Sequence, residues 1–94
     1  MKKVLIVENE QKLVTLMKTY LEEAGYFVMS TGEGSQAINK VNESHVEVAI
    51  VDIMLDDLDG WRVCRHIKKH TQTKVIILTA RHDEEDKLLG YELG

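Results

Sequence analysis

Asp52 closes the run Val46-Glu47-Val48-Ala49-Ile50-Val51-Asp52, and Glu8-Asn9-Glu10 follows the run Lys3-Val4-Leu5-Ile6-Val7. A third apolar run, Val75-Ile76-Ile77-Leu78, stops at Thr79-Ala80. Short apolar runs bounded by polar residues predict buried strands. Each of these three delivers polar groups at its C-terminal end. In an open parallel sheet those ends share one edge, and that edge is where ligands bind. The spacing therefore predicts a carboxylate-lined pocket for a hard cation and an oxyanion, with Asp52 its most reactive group. A carboxylate in that position can bind metal, act as acid or base, or attack a phosphoryl group. Mg²⁺ takes oxygen ligands in octahedral geometry and keeps several waters, so one or two carboxylates suffice. With the phosphoryl oxygens held by the cation, a second carboxylate can attack phosphorus and form an aspartyl phosphate. The Thr79 hydroxyl can then hydrogen-bond a phosphoryl oxygen. The plainer alternative is that Glu8, Asp52 and Thr79 solvate strand ends and cap the helices that follow.

The elements that must hold these residues alternate strand and helix. Strands are expected at about Lys3–Val7, Tyr26–Ser30, Val46–Asp52 and Lys74–Thr79. A first helix is expected from Glu10 to Ala24, because Leu13, Leu16, Met17, Tyr20, Leu21 and Ala24 recur at helical spacing. Gly25 then stops it. A short second helix covers Ser35–Asn42 with Ala37, Ile38 and Val41 inward. A third covers Trp61–His70 after the loop Met54–Gly60. A fourth is expected to start near Asp83 and to carry Leu88, Leu89, Tyr91 and Leu93. Alternation of this kind implies right-handed crossovers and a parallel sheet with helices on both faces, an α/β sandwich.

Ninety-four residues make one small domain, 1–94. A net charge of −4 argues against direct nucleic-acid contact. No apolar run is long enough to span a bilayer. Nothing at Met1-Lys2-Lys3 reads as a secretory signal. Cys64 is the single cysteine, so a reduced, cytoplasmic location is expected, with its side chain facing the core.

Three segments together carry a family resemblance. Val4-Leu5-Ile6-Val7-Glu8-Asn9-Glu10, Val51-Asp52-Ile53-Met54-Leu55-Asp56-Asp57-Leu58-Asp59-Gly60 and Val75-Ile76-Ile77-Leu78-Thr79-Ala80-Arg81 resemble a bacterial two-component response-regulator receiver domain. The closing stretch from Glu85 to Gly94 resembles the OmpR/PhoB-type subfamily. The resemblance implies a flavodoxin-like (CheY-like) fold with strand order 2-1-3-4-5. It implies that Asp52 is the phosphoacceptor and that the partner is a sensor histidine kinase. Glu8 matches a position that orients a metal-bound water, and Asn9 one that ligates Mg²⁺. The Met54 backbone carbonyl matches the remaining protein ligand, Thr79 the switch hydroxyl, and Gly60 the glycine before the third helix. The family is a phosphoacceptor rather than an enzyme, acting on transcription through an output domain that contacts DNA.

Departures from the family pattern are equally specific. Asn9 stands where the family has a carboxylate, so weaker Mg²⁺ binding is expected. Asp56 stands where the family has proline, and a solvated turn residue is expected there. Receiver domains run on past the position of Gly94 into a fifth strand and helix, roughly 25–30 residues. The domain is therefore expected to be incomplete at its C-terminus, with order 2-1-3-4. The lysine that pairs with the phosphoryl group and the aromatic switch residue belong to that segment, and no residue here takes either role. Strand 4 is then expected as an uncovered apolar edge, and self-association or marginal stability with it.

Two rival functions follow. One is a degenerate receiver acting as a non-phosphorylated interaction or dimerisation module. The other is a phosphatase with Asp52 as nucleophile, disfavoured because Met54 occupies the place of the second acid. His66 and His70, four apart on one helix, have a zinc-compatible spacing without an evident third ligand, so solvated residues are expected. His45 and His82 are expected in exposed loops. Trp61 is expected to pack against the sheet or to serve a partner surface. Asp86, Lys87 and Glu92 match inter-subunit ion-pair positions of the subfamily.

Overall fold

The computed structural model describes residues 2–55, 57–80 and 88–93; for residues 79, 80 and 88–93 it describes the backbone alone. The chain order is β1 (Lys3–Val7), α1 (Gln11–Glu23), β2 (Phe27–Thr31), α2 (Gly34–Glu43), β3 (Val48–Asp52), α3 (Gly60–His70), β4 (Lys74–Ala80) and β5 (Leu88–Leu93). The first four strands are parallel, as the alternation predicts, and lie in the order β2-β1-β3-β4 that the family resemblance implies.

The register explains why the apolar runs are continuous. Leu5 and Val7 of β1 join Ala49 and Val51 of β3 and Val75 and Ile77 of β4 in one core layer. Ala37 and Val41 of α2 and Val63, Cys64 and Ile67 of α3 close over it. Ile6, pointing the other way, packs with Val14 of α1 and Val28 of β2. A strand buried on both faces has no polar side to show. Each fully buried Val, Leu or Ile removes enough apolar surface from water to contribute about 1.5–3 kcal/mol.

Helix α1 ends at Ala24, and Gly25 follows at φ 97°, a left-handed conformation that glycine adopts without strain. Val14, Met17 and Leu21 face the sheet. Leu16 and Tyr20, expected on the inward stripe, face solvent instead; Tyr20 is 67% exposed. The helix is rotated so that Val14 centres the contact, and residues two and six positions further on then fall outside it.

The end of the chain differs from expectation. Leu88–Leu93 is not helical but forms an antiparallel strand against β4, from Val75↔Leu93 to Ala80↔Leu88. β4 therefore has neighbours on both sides and is not an uncovered edge. Two physical reasons favour the strand. Leu89, Tyr91 and Leu93 alternate as a strand requires, with Gly90 weakening a helix at that point. The unpaired N–H and C=O groups of β4 are also a template for any extended segment nearby. The expectations for Asp56, His82, Asp86 and Lys87 lie outside the described residues.

Candidate functional site

Glu8 and Asp52 each follow or close a strand whose preceding residues, Val7 and Val51, are directly paired. Both carboxyls are buried, Glu8 at 5% and Asp52 at 6% exposure. The sheet thus brings two acids side by side at the C-terminal edge of β1 and β3. Asp52 is in turn paired with Leu78 of β4, which puts the backbone of Thr79 one step further along the same rim. Three sequence-predicted positions, 8, 52 and 79, share one edge.

Local hydrogen bonds fix each carboxyl. Met54 N donates to Asp52 Oδ1 at 3.0 Å, and Glu10 N donates to Glu8 Oε2 at 2.9 Å. Glu8 Oε1 is buried with no hydrogen-bond partner among the described residues. Burial pushes the Glu8 carboxyl up to about 7; the Glu10 amide opposes this, while the charge of Asp52, the direct contact of the two carboxyl groups, which can share a proton, and the charge of Glu10 add to it. The Asn9 side chain is exposed on the same rim, close to the β2–α2 loop at Gly32. Met54 has an exposed side chain.

Glycine at position 60 has a steric cause. A Cβ there would collide with Ile53 Cα and the Asp52 carbonyl oxygen, and would lie 2.9 Å from the Ile53 carbonyl carbon. Gly60 N donates to Ile53 O at 3.1 Å, so α3 starts hard against the segment that carries Asp52.

The donor chemistry fits a hard divalent cation. Among the described residues no three of His, Cys, Asp and Glu gather at one point. Mg²⁺ does not need them, since amide, carbonyl and water oxygens complete its octahedron. A buried carboxylate oxygen without a partner, next to a second acid, is an arrangement that such a cation would relieve.

Two acids of the β3–α3 loop have roles that the sequence reading did not foresee. Asp59 Oδ1 accepts from Trp61 N at 3.0 Å and caps α3. Asp57 accepts from Gly34 N at 2.7 Å and from Ser35 N at 3.1 Å, at the start of α2. The tie serves α2, whose own N-terminal cap residue, Glu33, makes no side-chain cap bond.

Elsewhere the single cysteine, Cys64, is buried as expected. His45 is exposed as expected. His66 is not fully solvated: its Nε2 is buried without a partner among the described residues, and its ring lies 4.5 Å from that of His70. Trp61 is 42% exposed, so only part of its ring packs inward.

Comparison with known proteins identifies the family. The response regulator receiver domain profile matches residues 4–94. The chain is 40% identical over 92 residues, 98% of its length, to "Probable transcriptional regulator ycf27" of Guillardia theta. It is 37% identical over 94 residues, 99% of its length, to the alkaline phosphatase synthesis transcriptional regulatory protein PhoP of Bacillus subtilis. It spans 36% and 39% of the lengths of those two relatives. Among solved structures it is similar to the response regulator TrrA of Thermotoga maritima in complex with Mg²⁺-BeF, with a TM-score of 0.79 and 33% identity. That match covers 92% of this chain and 76% of the other. The chain belongs to the response regulator receiver domain family, and its relatives place it with the OmpR/PhoB-type regulators.

Proposed function

We propose that Asp52 accepts a phosphoryl group from a sensor histidine kinase and that this modification shifts the domain between two conformations. The observation that carries the reading is the burial of Glu8 and Asp52 together at the strand edge, with a Glu8 oxygen left unpaired. In the transfer, an Asp52 carboxylate oxygen forms a bond to phosphorus while the bond from phosphorus to the donor imidazole nitrogen breaks. The nitrogen keeps the electron pair, and Asp52 gives up no proton. Met54 N holds Oδ1 and so sets the carboxylate plane.

Glu8, Asn9, Asp52 and the Met54 backbone carbonyl are the groups that would hold Mg²⁺. Bound there, the ion supplies positive charge opposite the phosphoryl oxygens. Thr79 is the switch hydroxyl. The chain acts as a phosphoacceptor rather than an enzyme, and its own residues assist phosphorylation and dephosphorylation. A cytoplasmic location fits this role, and no described helix is long and apolar enough to cross a membrane. In a regulator of the PhoP kind, DNA would be reached through an output domain, with this domain controlling it through self-association.

The test is incubation with Mg²⁺ and acetyl phosphate, followed by intact mass. One added phosphoryl group, absent in Asp52→Ala, is expected. A wild-type chain that takes neither phosphate nor beryllofluoride would leave the interaction-module reading in its place.

A further inference from the structure

The loop that leaves Asp52 is tied to an element remote in sequence. Asp57 receives three hydrogen bonds from the first turn of α2: Gly34 N at 2.7 Å, Ser35 N at 3.1 Å and Ser35 Oγ at 2.9 Å. The amides at a helix start lack partners within the helix, and a carboxylate there also meets the positive end of the dipole. Those bonds hold the Asp57 carboxyl down at about 2. Packing reinforces the tie. A Cβ on Gly34 would meet Leu58 Cβ and Val63 Cγ2, each at 2.8 Å, so the loop and α3 already press against the start of α2.

At its other end the loop is fixed by Gly60 N on Ile53 O. Between these anchors lies the turn in which Met54 N holds Asp52 Oδ1. We infer that Asp57 is a positioning residue: by gripping Gly34 and Ser35 it immobilises the loop that aims the Asp52 carboxylate and the Met54 backbone. The inference rests on the phosphoacceptor reading for its purpose, but its mechanical content does not. A carboxylate is required at 57, because both oxygens accept. An asparagine has one acceptor oxygen, so it can accept from Gly34 N or from Ser35 N but not from both, although its NH2 can still donate to Ser35 Oγ.

The experiment compares wild type, Asp57→Ala, Asp57→Asn and Ser35→Ala as full chains, each first shown to melt cooperatively. Amide hydrogen exchange is read by NMR without any ligand. Asp57→Ala is expected to speed exchange at Gly34, Ser35 and also Met54, with Asp57→Asn intermediate and Ser35→Ala mildest. Trp61 fluorescence then follows Mg²⁺ titration, where Asp57→Ala should weaken binding by about tenfold, the usual effect of losing a group that orients ligands. With acetyl phosphate, the concentration giving half-maximal rate should rise more than the maximal rate falls. Faster exchange at Gly34 and Ser35 with Met54 unchanged would reduce Asp57 to a helix cap and overturn the inference. If Asp57→Ala does not fold, Asp57→Asn and Ser35→Ala decide by the same reading at Met54. A wild type unresponsive to Mg²⁺ and acetyl phosphate would sink the phosphoacceptor reading, while exchange at Met54 would still judge the latch.

Discussion

Glu8 Oε1 is buried against the Asp52 carboxyl and has no hydrogen-bond donor among the described residues while both acids are ionised; Glu8 Oε2 is held by the Glu10 amide. A folded chain keeps such a pair only against its own stability, since a buried polar atom left unpaired costs about 1–3 kcal/mol. Acids perturbed in this way cluster at functional sites.

Glu8→Gln should therefore stabilise the metal-free chain while weakening Mg²⁺ binding. The neutral amide removes the repulsion with Asp52 at nearly unchanged volume. A gain of about 1 kcal/mol is expected, which in a domain of this size raises Tm by about 4–8 °C. Thermal melts in chelator check it, and a lower Tm for the variant would contradict the picture of an unpaired, destabilising acid.

Asn9→Asp restores a negative charge on the rim of the same site. Asn9 is exposed, so solvent screens the gain, and exposed charge pairs are worth at most about 1 kcal/mol. Mg²⁺ should bind about fivefold tighter. Fluorescence titration of Trp61 gives the comparison, and an unchanged midpoint would mean that position 9 does not face the ion.

How far this was legible in the sequence depends on the range of the cause. Glu8, Asp52 and Thr79 were readable because apolar runs fix strands, parallel strands share an edge, and the polar residues fall at the run ends. The grip of Asp57 on Gly34 was not, because those residues are 23 apart and nothing local joins them. The sequence does not decide which face Tyr20 takes, because two helical stripes, one through Val14 and one through Leu16, fit the same apolar spacing. The apolar spacing of Leu88–Leu93 also fits a helix, because the decisive influence, the open hydrogen-bonding edge of β4, lies in another strand.

Gly60→Ala should disrupt both fold and site. The added methyl meets backbone atoms of Asp52 and Ile53, which have no flexible end to move aside. Overpacking of well-filled regions costs about 1–3 kcal/mol, and a backbone collision belongs at the upper end. Urea unfolding should show that loss, together with reduced phosphorylation of Asp52. A variant as stable and as reactive as wild type would contradict the close approach of α3 to β3.

Cys64 predicts a dependence on alkaline pH. Burial raises its thiol from 9.0 to about 11, with the charge of Asp59 adding and that of Arg65 opposing. The folded thiol keeps its proton after the unfolded one has ionised. Its contribution to stability is thus complete below pH 9.0 and falls as pH rises towards about 11. Cys64→Ala should flatten that part of the urea-midpoint profile. A thiol reagent should label the native chain only as fast as it opens, and prompt labelling without denaturant would count against a buried sulfur.

Removing residues 88–94 tests the last strand. β5 pairs with β4 along its whole length, so its loss bares the N–H and C=O groups of every second β4 residue, those that do not face β3. An unprotected apolar edge pairs with the next one available. Sedimentation velocity should show the shortened chain associating as concentration rises, more strongly than the parent. If the shortened chain sediments like the parent at every concentration, the antiparallel pairing is not what shields β4, and the edge must be protected by its own twist or by α3.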